Sequence, residues 1–204
     1  MRGIPKRAAL AVAVAMAGAA LSAPASASIR DTIGSQAIKA AAPEWSAWQR
    51  LPKPAPDTIV GCGTKIRLTY PMFKQELRTR EDLDGNTRVQ VRGPVHQRIA
   101  PTRGHAVVAD ITGQGSFTVY TSGDLLLRLR GKNLLIIVPK TYENSTPTTL
   151  PRIFLSTGRM AIFSVNNGTP KLSDDVVTFL RRPARHWGIC PILSSGVVPK
   201  PFRV

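Results

Sequence analysis

Thr64-Lys65-Ile66-Arg67-Leu68-Thr69-Tyr70 alternates polar and apolar side chains from Lys65 onward. Side chains along a strand point to opposite faces in turn. Ile66, Leu68 and Tyr70 therefore share one face, and Lys65, Arg67 and Thr69 share the other. The same period recurs further on. Val89 and Val91 sit between Arg88, Gln90 and Arg92, and Leu127 and Leu129 alternate with Arg128 and Arg130. Turn residues punctuate the runs at Asp84-Gly85-Asn86, Gly113-Gln114-Gly115, Ser122-Gly123-Asp124, Gly131-Lys132-Asn133 and Asn166-Asn167-Gly168. The pattern predicts strands near 64–70, 75–81, 87–92, 105–111, 116–121, 124–130, 133–138, 152–156 and 159–165, with a further one at 176–181. Turns about every 8–12 residues make the expected fold all-β, an antiparallel sandwich or barrel of about nine or ten strands.

Composition agrees. With 204 residues the chain suits one domain, and 43% apolar residues can build a core. Sixteen Gly and 17 Pro argue against a helical bundle. Leu134-Leu135-Ile136-Ile137-Val138 is apolar on both faces and reads as a central strand covered on both sides. Residues 28–42 can form a short helix. Pro43, Pro52, Pro54 and Pro56 then make an extended linker, in which Trp45 and Trp48 are expected to dock onto the core. The domain division is a signal peptide at 1–27, an N-terminal segment and Pro-rich linker at 28–61, a β domain at 62–192, and a loose basic tail at 193–204.

The first 27 residues read as an address. Arg2, Lys6 and Arg7 precede an apolar stretch at 8–21, and Ala25-Ser26-Ala27 supplies the small residues of a cleavage site. The stretch is shorter than the roughly 20 residues a spanning helix needs, and no later apolar run approaches that length. A secreted or envelope location is therefore expected, with no transmembrane segment in the mature chain. Removing three positive charges and no negative ones from a net +16 leaves +13. In an oxidising compartment Cys62 and Cys190 are expected to form a disulfide. Two cysteines exclude both a disulfide-dense scaffold and a Cys-rich zinc site.

Chemistry-bearing motifs are sparse. His96, His105 and His186 belong to no GxSxG elbow and no HExxH pair, so no catalytic residue, metal site or cofactor is assigned. Glu81, Asp82 and Asp84, and Asp174-Asp175, read as turn residues. The cations stand out: residues 62–190 hold 19 Lys plus Arg, 14 of them Arg, against 9 acids. Arginine's planar fork grips phosphate, sulfate and carboxylate. The candidate binding cluster is Arg181, Arg182, Arg185, His186 and Trp187, cations beside an aromatic ring just ahead of Cys190. A second candidate is the outward row of Lys65, Arg67, Arg88, Arg92, Arg128 and Arg130.

Val91-Arg92-Gly93-Pro94-Val95-His96 and Ser122-Gly123-Asp124-Leu125-Leu126-Leu127, together with the Ala-rich leader and Arg-rich mature chain, resemble small exported β-rich proteins of GC-rich Gram-positive bacteria. The resemblance covers about residues 60–192 and implies export and a β-rich fold, with no assigned activity. The expected function is that of a non-enzymatic, envelope-associated binder whose basic face holds an anionic polymer, a cell-wall component or nucleic acid. The alternatives are a small nuclease-like hydrolase, built on His96 or His105 with Glu76 or Glu81 and Arg78, and a β-sandwich module for a protein partner. The latter would use Trp45, Trp48 and the tail.

Overall fold

The computed structural model describes residues 43–137, 150–166, 168 and 175–204. The sequence-based helix at 28–42, the signal segment and the end of the 133–138 strand lie outside them. Among the described residues fourteen strands form three antiparallel sheets, none closed into a barrel. The largest has seven strands: β1 (Gln49–Arg50), β4 (Glu76–Glu81), β5 (Thr87–Arg92), β8 (Gly113–Val119), β9 (Leu125–Gly131), β12 (Arg159–Val165) and β13 (Val176–Arg181), in that order. A four-stranded sheet runs β2 (Asp57–Gly61), β3 (Thr64–Phe73), β6 (Val95–Pro101) and β7 (Val107–Asp110). The third sheet holds β10 (Asn133–Ile136), β11 (Ile153–Thr157) and β14 (Arg185–Gly188).

The alternation in 64–70 is real structure. Ile66, Leu68 and Tyr70 are buried while Lys65 and Arg67 are exposed. One apolar cluster joins side chains of all three sheets, among them Ile66, Ile99 and Val107 with Val89, Val91, Leu134 and Leu155. A second cluster packs Leu127, Leu129, Met160, Ile162 and Val177 of the large sheet against Leu135, Ile137 and Phe154. Along β10 the side chains thus part to opposite sides: Leu134 and Ile136 enter the first cluster, Leu135 and Ile137 the second. That explains the unbroken apolar run. Both faces are covered, as expected, but the strand is not central: among the described residues β10 pairs only with β11, which takes the middle place. Burial on two faces reports packing above and below, not neighbours on either side.

Three further departures have physical causes. β6 escapes the apolar pattern because its inward position between Val95 and Ile99 is Gln97, which is fully buried. The proline-rich segment is not a free linker. Ser46 N–H donates to the Thr79 carbonyl at 2.8 Å and Leu51 N–H to that of Gln75 at 2.9 Å, so the segment straps the outer edge of β4. β-structure also begins ahead of Cys62, since β2 pairs with β3 around a two-residue turn, Cys62-Gly63. Both turn residues take positive φ, +54° and +70°. This is the left-handed backbone that a tight hairpin demands and that glycine adopts at least cost.

The chain end is packed rather than loose. After β14 comes helix α1 (Ile189–Ser195), which buries Ile189, Ile192 and Leu193, and Gly196 closes it in the left-handed conformation. Phe202 is fully buried and meets Trp187 edge-on at 5.4 Å between ring centroids. The prolines at 199 and 201 suggested an open tail. They shape a single 3-10 turn, Lys200–Phe202, that delivers Phe202 to the core. Cys62 and Cys190 are disulfide-bonded, with Cα atoms 5.3 Å apart. The bridge ties the β2–β3 turn to the first turn of α1.

Candidate anion-binding face

The outward face of the seven-stranded sheet carries the arginines. Cross-strand register places Arg78, Gln90, Ser116, Arg128, Ala161 and Arg181 in one row across six strands. The adjoining row contains Glu76 opposite Arg92, then Gln114 opposite Arg130 and Arg130 opposite Arg159. From β5 to β13 the two rows border an open trough of about 510 Å³, lined by Trp48, Arg92, Gln114, Ser116, Arg128, Arg130, Arg159, Ala161 and Arg181 among others. No Asp or Glu lines it.

One residue reaches this face through a bulge. On β13, Val177 is buried and Phe179 packs against the second cluster, so strict alternation would turn residue 181 inward as well. The register slips between Ala161 and Ile162: Ile162 pairs with Phe179, but Ala161 pairs with Arg181. Leu180 is the extra residue, 60% exposed. A bulge of this kind re-aims the side chain that follows it. Here it carries Arg181 to the trough, opposite the small Ala161.

The face divides into two electrostatic halves. On the β4–β5 side the guanidinium groups have partners. Arg92 pairs with Glu76 at 2.9 Å, Arg88 with Asp82 at 3.1 Å, and Arg78 Nε donates to Gln90 Oε1 at 2.8 Å. Trp45 is shared by Arg78 and Arg80, at 4.9 and 4.7 Å from the ring centroid, and Trp48 by Arg78 and Arg92, at 4.7 and 4.0 Å. Side chains two residues apart on a strand stand about 7 Å apart, which is the room one ring between two planar groups needs. The tryptophans therefore lie on arginines and not on the apolar core, contrary to expectation, because the strap that carries them runs along the sheet's edge. The Asp82 carboxyl is partly desolvated, which raises its pKa. Hydrogen bonds from the Asn86 backbone and side chain, from Arg88 and from the Asp84 backbone outweigh that and hold it below the ordinary carboxylate range.

On the β9–β12–β13 side the arrangement is the reverse. Arg128, Arg130, Arg159 and Arg181 are exposed and, among the described residues, have neither a carboxylate within ion-pair distance nor an aromatic ring to stack on. Arg130 and Arg159 stand directly opposite each other. Like charges at directly opposed positions destabilise a sheet.

The sequence-based cluster is split by the fold. Arg181 ends β13 in the large sheet and lines the trough. Arg182 is exposed in the connection to β14. Arg185, His186 and Trp187 lie on β14 in the three-stranded sheet, opposite Thr157, Ser156 and Leu155. His186 packs edge-on to Phe154, and Trp187 is half-buried against Phe202. Of the outward row, Arg92, Arg128 and Arg130 converge in the trough, and Arg88 lies on the same sheet. Lys65 and Arg67 stand on β3, in another sheet. Arg159 went unsingled by sequence reasoning, although its alternation with the buried Met160 and Ile162 marks it as outward.

The histidines do not gather. His96 is on β6 opposite Asp110, His105 N–H donates to the Leu193 carbonyl at 2.8 Å, and His186 is on β14; none lines the trough. Asp110 instead pairs with Lys132 and accepts from the Thr112 N–H. No group of three His, Cys, Asp or Glu residues suited to a metal occurs among the described residues, and no helix among them is long and apolar enough to cross a membrane. Comparison of the chain with family models, curated proteins and solved structures yields no match. The fold and the site therefore speak through their own geometry, as a three-sheet all-β protein with an arginine-lined trough.

Proposed function

We propose that the protein is an exported, non-enzymatic binder of anionic polymers, and that the polymer lies along the trough of the seven-stranded sheet. The observation that carries this reading is the contrast between the two halves of the face. Arginines on β4 and β5 are neutralised or stacked, whereas Arg128, Arg130, Arg159 and Arg181 converge without a counter-charge among the described residues. Convergent guanidinium groups that destabilise the empty sheet are best accounted for by an anion that arrives from outside. The unpaired arginines run from β9 to β13 across two strand spacings, about 10 Å, and four guanidinium groups over that span suit several linked anionic groups better than a single small ion. Export is supported by the leader pattern and by the disulfide, a bond of oxidising compartments.

The test is a salt titration of binding to heparin. Affinity should fall steeply with salt, since each cation that meets an anionic group releases about one counterion. Replacing Arg128, Arg130, Arg159 and Arg181 together with Ala should flatten the log–log slope by about three to four. Replacing Arg182 and Arg185 should leave the slope nearly unchanged. Absence of binding at modest salt, or binding indifferent to the fourfold change, would overturn the proposal.

A further inference from the structure

We infer that the polymer this trough accepts is rich in hydroxyl groups, alternating anionic groups with hydroxyl-bearing carbons as polyol phosphates and uronate glycans do, and that it is not a nucleic acid. The inference rests on the reading of the trough as a polyanion site and adds the chemistry between the charges.

Two observations carry it. The first concerns aromatic rings. Single-stranded nucleic acid is held by a basic groove together with open aromatic faces on which bases stack. Trp48 borders the trough, but its ring already carries the guanidinium groups of Arg78 and Arg92. Trp45 is likewise shared by Arg78 and Arg80, and Trp187 packs on Phe202. All three tryptophans of the chain are thus engaged. The second concerns the floor. Between the arginines it presents Gln114 and Ser116, whose side chains have no hydrogen-bond partner among the described residues. Gln90 beside them uses its carbonyl oxygen on Arg78, which leaves its amide NH₂ to donate. An amide and a hydroxyl both donate and accept, which is what neutral sugar or polyol hydroxyls require. Gln114 stands directly opposite Arg130, and Ser116 directly opposite Arg128. Two of the four unpaired guanidinium groups, those of Arg128 and Arg130, therefore have a hydroxyl-binding neighbour one strand away, while Arg159 and Arg181 lie beyond them on β12 and β13.

The test compares four probes of matched charge with the oxidised mature protein: poly(glycerol phosphate), polygalacturonate, inorganic polyphosphate, which has no hydroxyls, and oligo(dT). At equal salt, at least one hydroxylated polymer should bind about tenfold more tightly than polyphosphate and oligo(dT). The better of the two identifies phosphate or carboxylate as the anionic group. Gln114→Leu with Ser116→Ala should weaken that polymer about three- to tenfold, leave polyphosphate unaffected, and keep the salt slope, because no charge is removed. Equal binding of all four probes, unaffected by the double variant, would overturn the inference while leaving the polyanion site standing. Tighter binding of oligo(dT) with quenching of tryptophan fluorescence would overturn it in favour of nucleic acid. If no probe binds, or none responds to the loss of the four arginines, the underlying reading falls instead.

Discussion

Arg130 on β9 and Arg159 on β12 are directly opposed in an antiparallel pair, with no carboxylate between them among the described residues. The sheet would be more stable if one of them were neutral. Arg159→Gln should raise the stability of the free protein by about 0.2–1 kcal/mol, measured by urea unfolding. The same change should weaken polyanion binding. Stabilisation accompanied by unchanged affinity would show that the pair has no share in the site.

The bulge at Leu180 decides where Arg181 points. Deleting Leu180 should remove the register slip and place Arg181 directly after the inward Phe179, so that plain alternation keeps it opposite Ala161 on the outward face. Pairing from Ile162 to Val165 is upstream of the slip and should persist. The deletion variant should therefore fold, keep the parent's salt slope against heparin, and lose about one unit of it on a further Arg181→Ala change. A salt slope already about one unit shallower in the deletion variant would refute this role for the bulge.

The disulfide closes a loop of 128 residues' separation, for which loop entropy gives at most about 4–5 kcal/mol. Reduction should lower the melting temperature accordingly. Cys62 sits at φ +54°, so the two cysteine-free replacements should differ. In a Cys190→Ala background, Cys62→Gly should be more stable than Cys62→Ala by about 1 kcal/mol, because a left-handed residue with a Cβ costs that much. Equal melting temperatures for the two would mean that the turn relaxes once the bridge is gone.

Phe202 tests whether the chain end belongs to the fold. It is fully buried against Trp187 and the first apolar cluster. Phe202→Ala should cost about 3–5 kcal/mol and shift Trp187 fluorescence to longer wavelength. Removal of residues 197–204 should do at least as much. A loose tail would permit either change at no cost.

Acid should act through Asp82 and Asp110. Desolvation raises both carboxyls, but hydrogen bonds outweigh it, from Asn86, Arg88 and Asp84 at the first and from Lys132 and Thr112 at the second, with the Lys132 charge assisting. Their folded pKa values therefore lie below the unfolded ones. Stability from these groups is present above the ordinary carboxylate range, about 4, and is lost as pH falls through that value toward the folded pKa. Thermal melts at pH 7 and pH 3 should show this loss. Asp110→Asn should be less stable than the parent at pH 7 and show a shallower decline in acid.

What the sequence by itself determined is what local order encodes. Ile66, Leu68, Val89, Val91, Leu127 and Leu129 are buried where period two placed them, and Arg88, Arg92, Arg128 and Arg130 are exposed on alternate positions. Each strand carries that information within itself, because its side chains must alternate. It also sufficed for the all-β class and for the partnership of Cys62 with Cys190. Only the tertiary structure decided which cations meet. Arg181 and Arg185 are four positions apart in sequence yet belong to different sheets, while Arg92, Arg130 and Arg159 come from distant strands to border one trough. Strand order, register and the one-residue slip at Leu180 are set by long-range packing, and no local period reports them. Trp45 and Trp48 had the same ambiguity. A ring beside prolines can bury itself in a core or lie on arginines, and the course of the strap along β4 settled it.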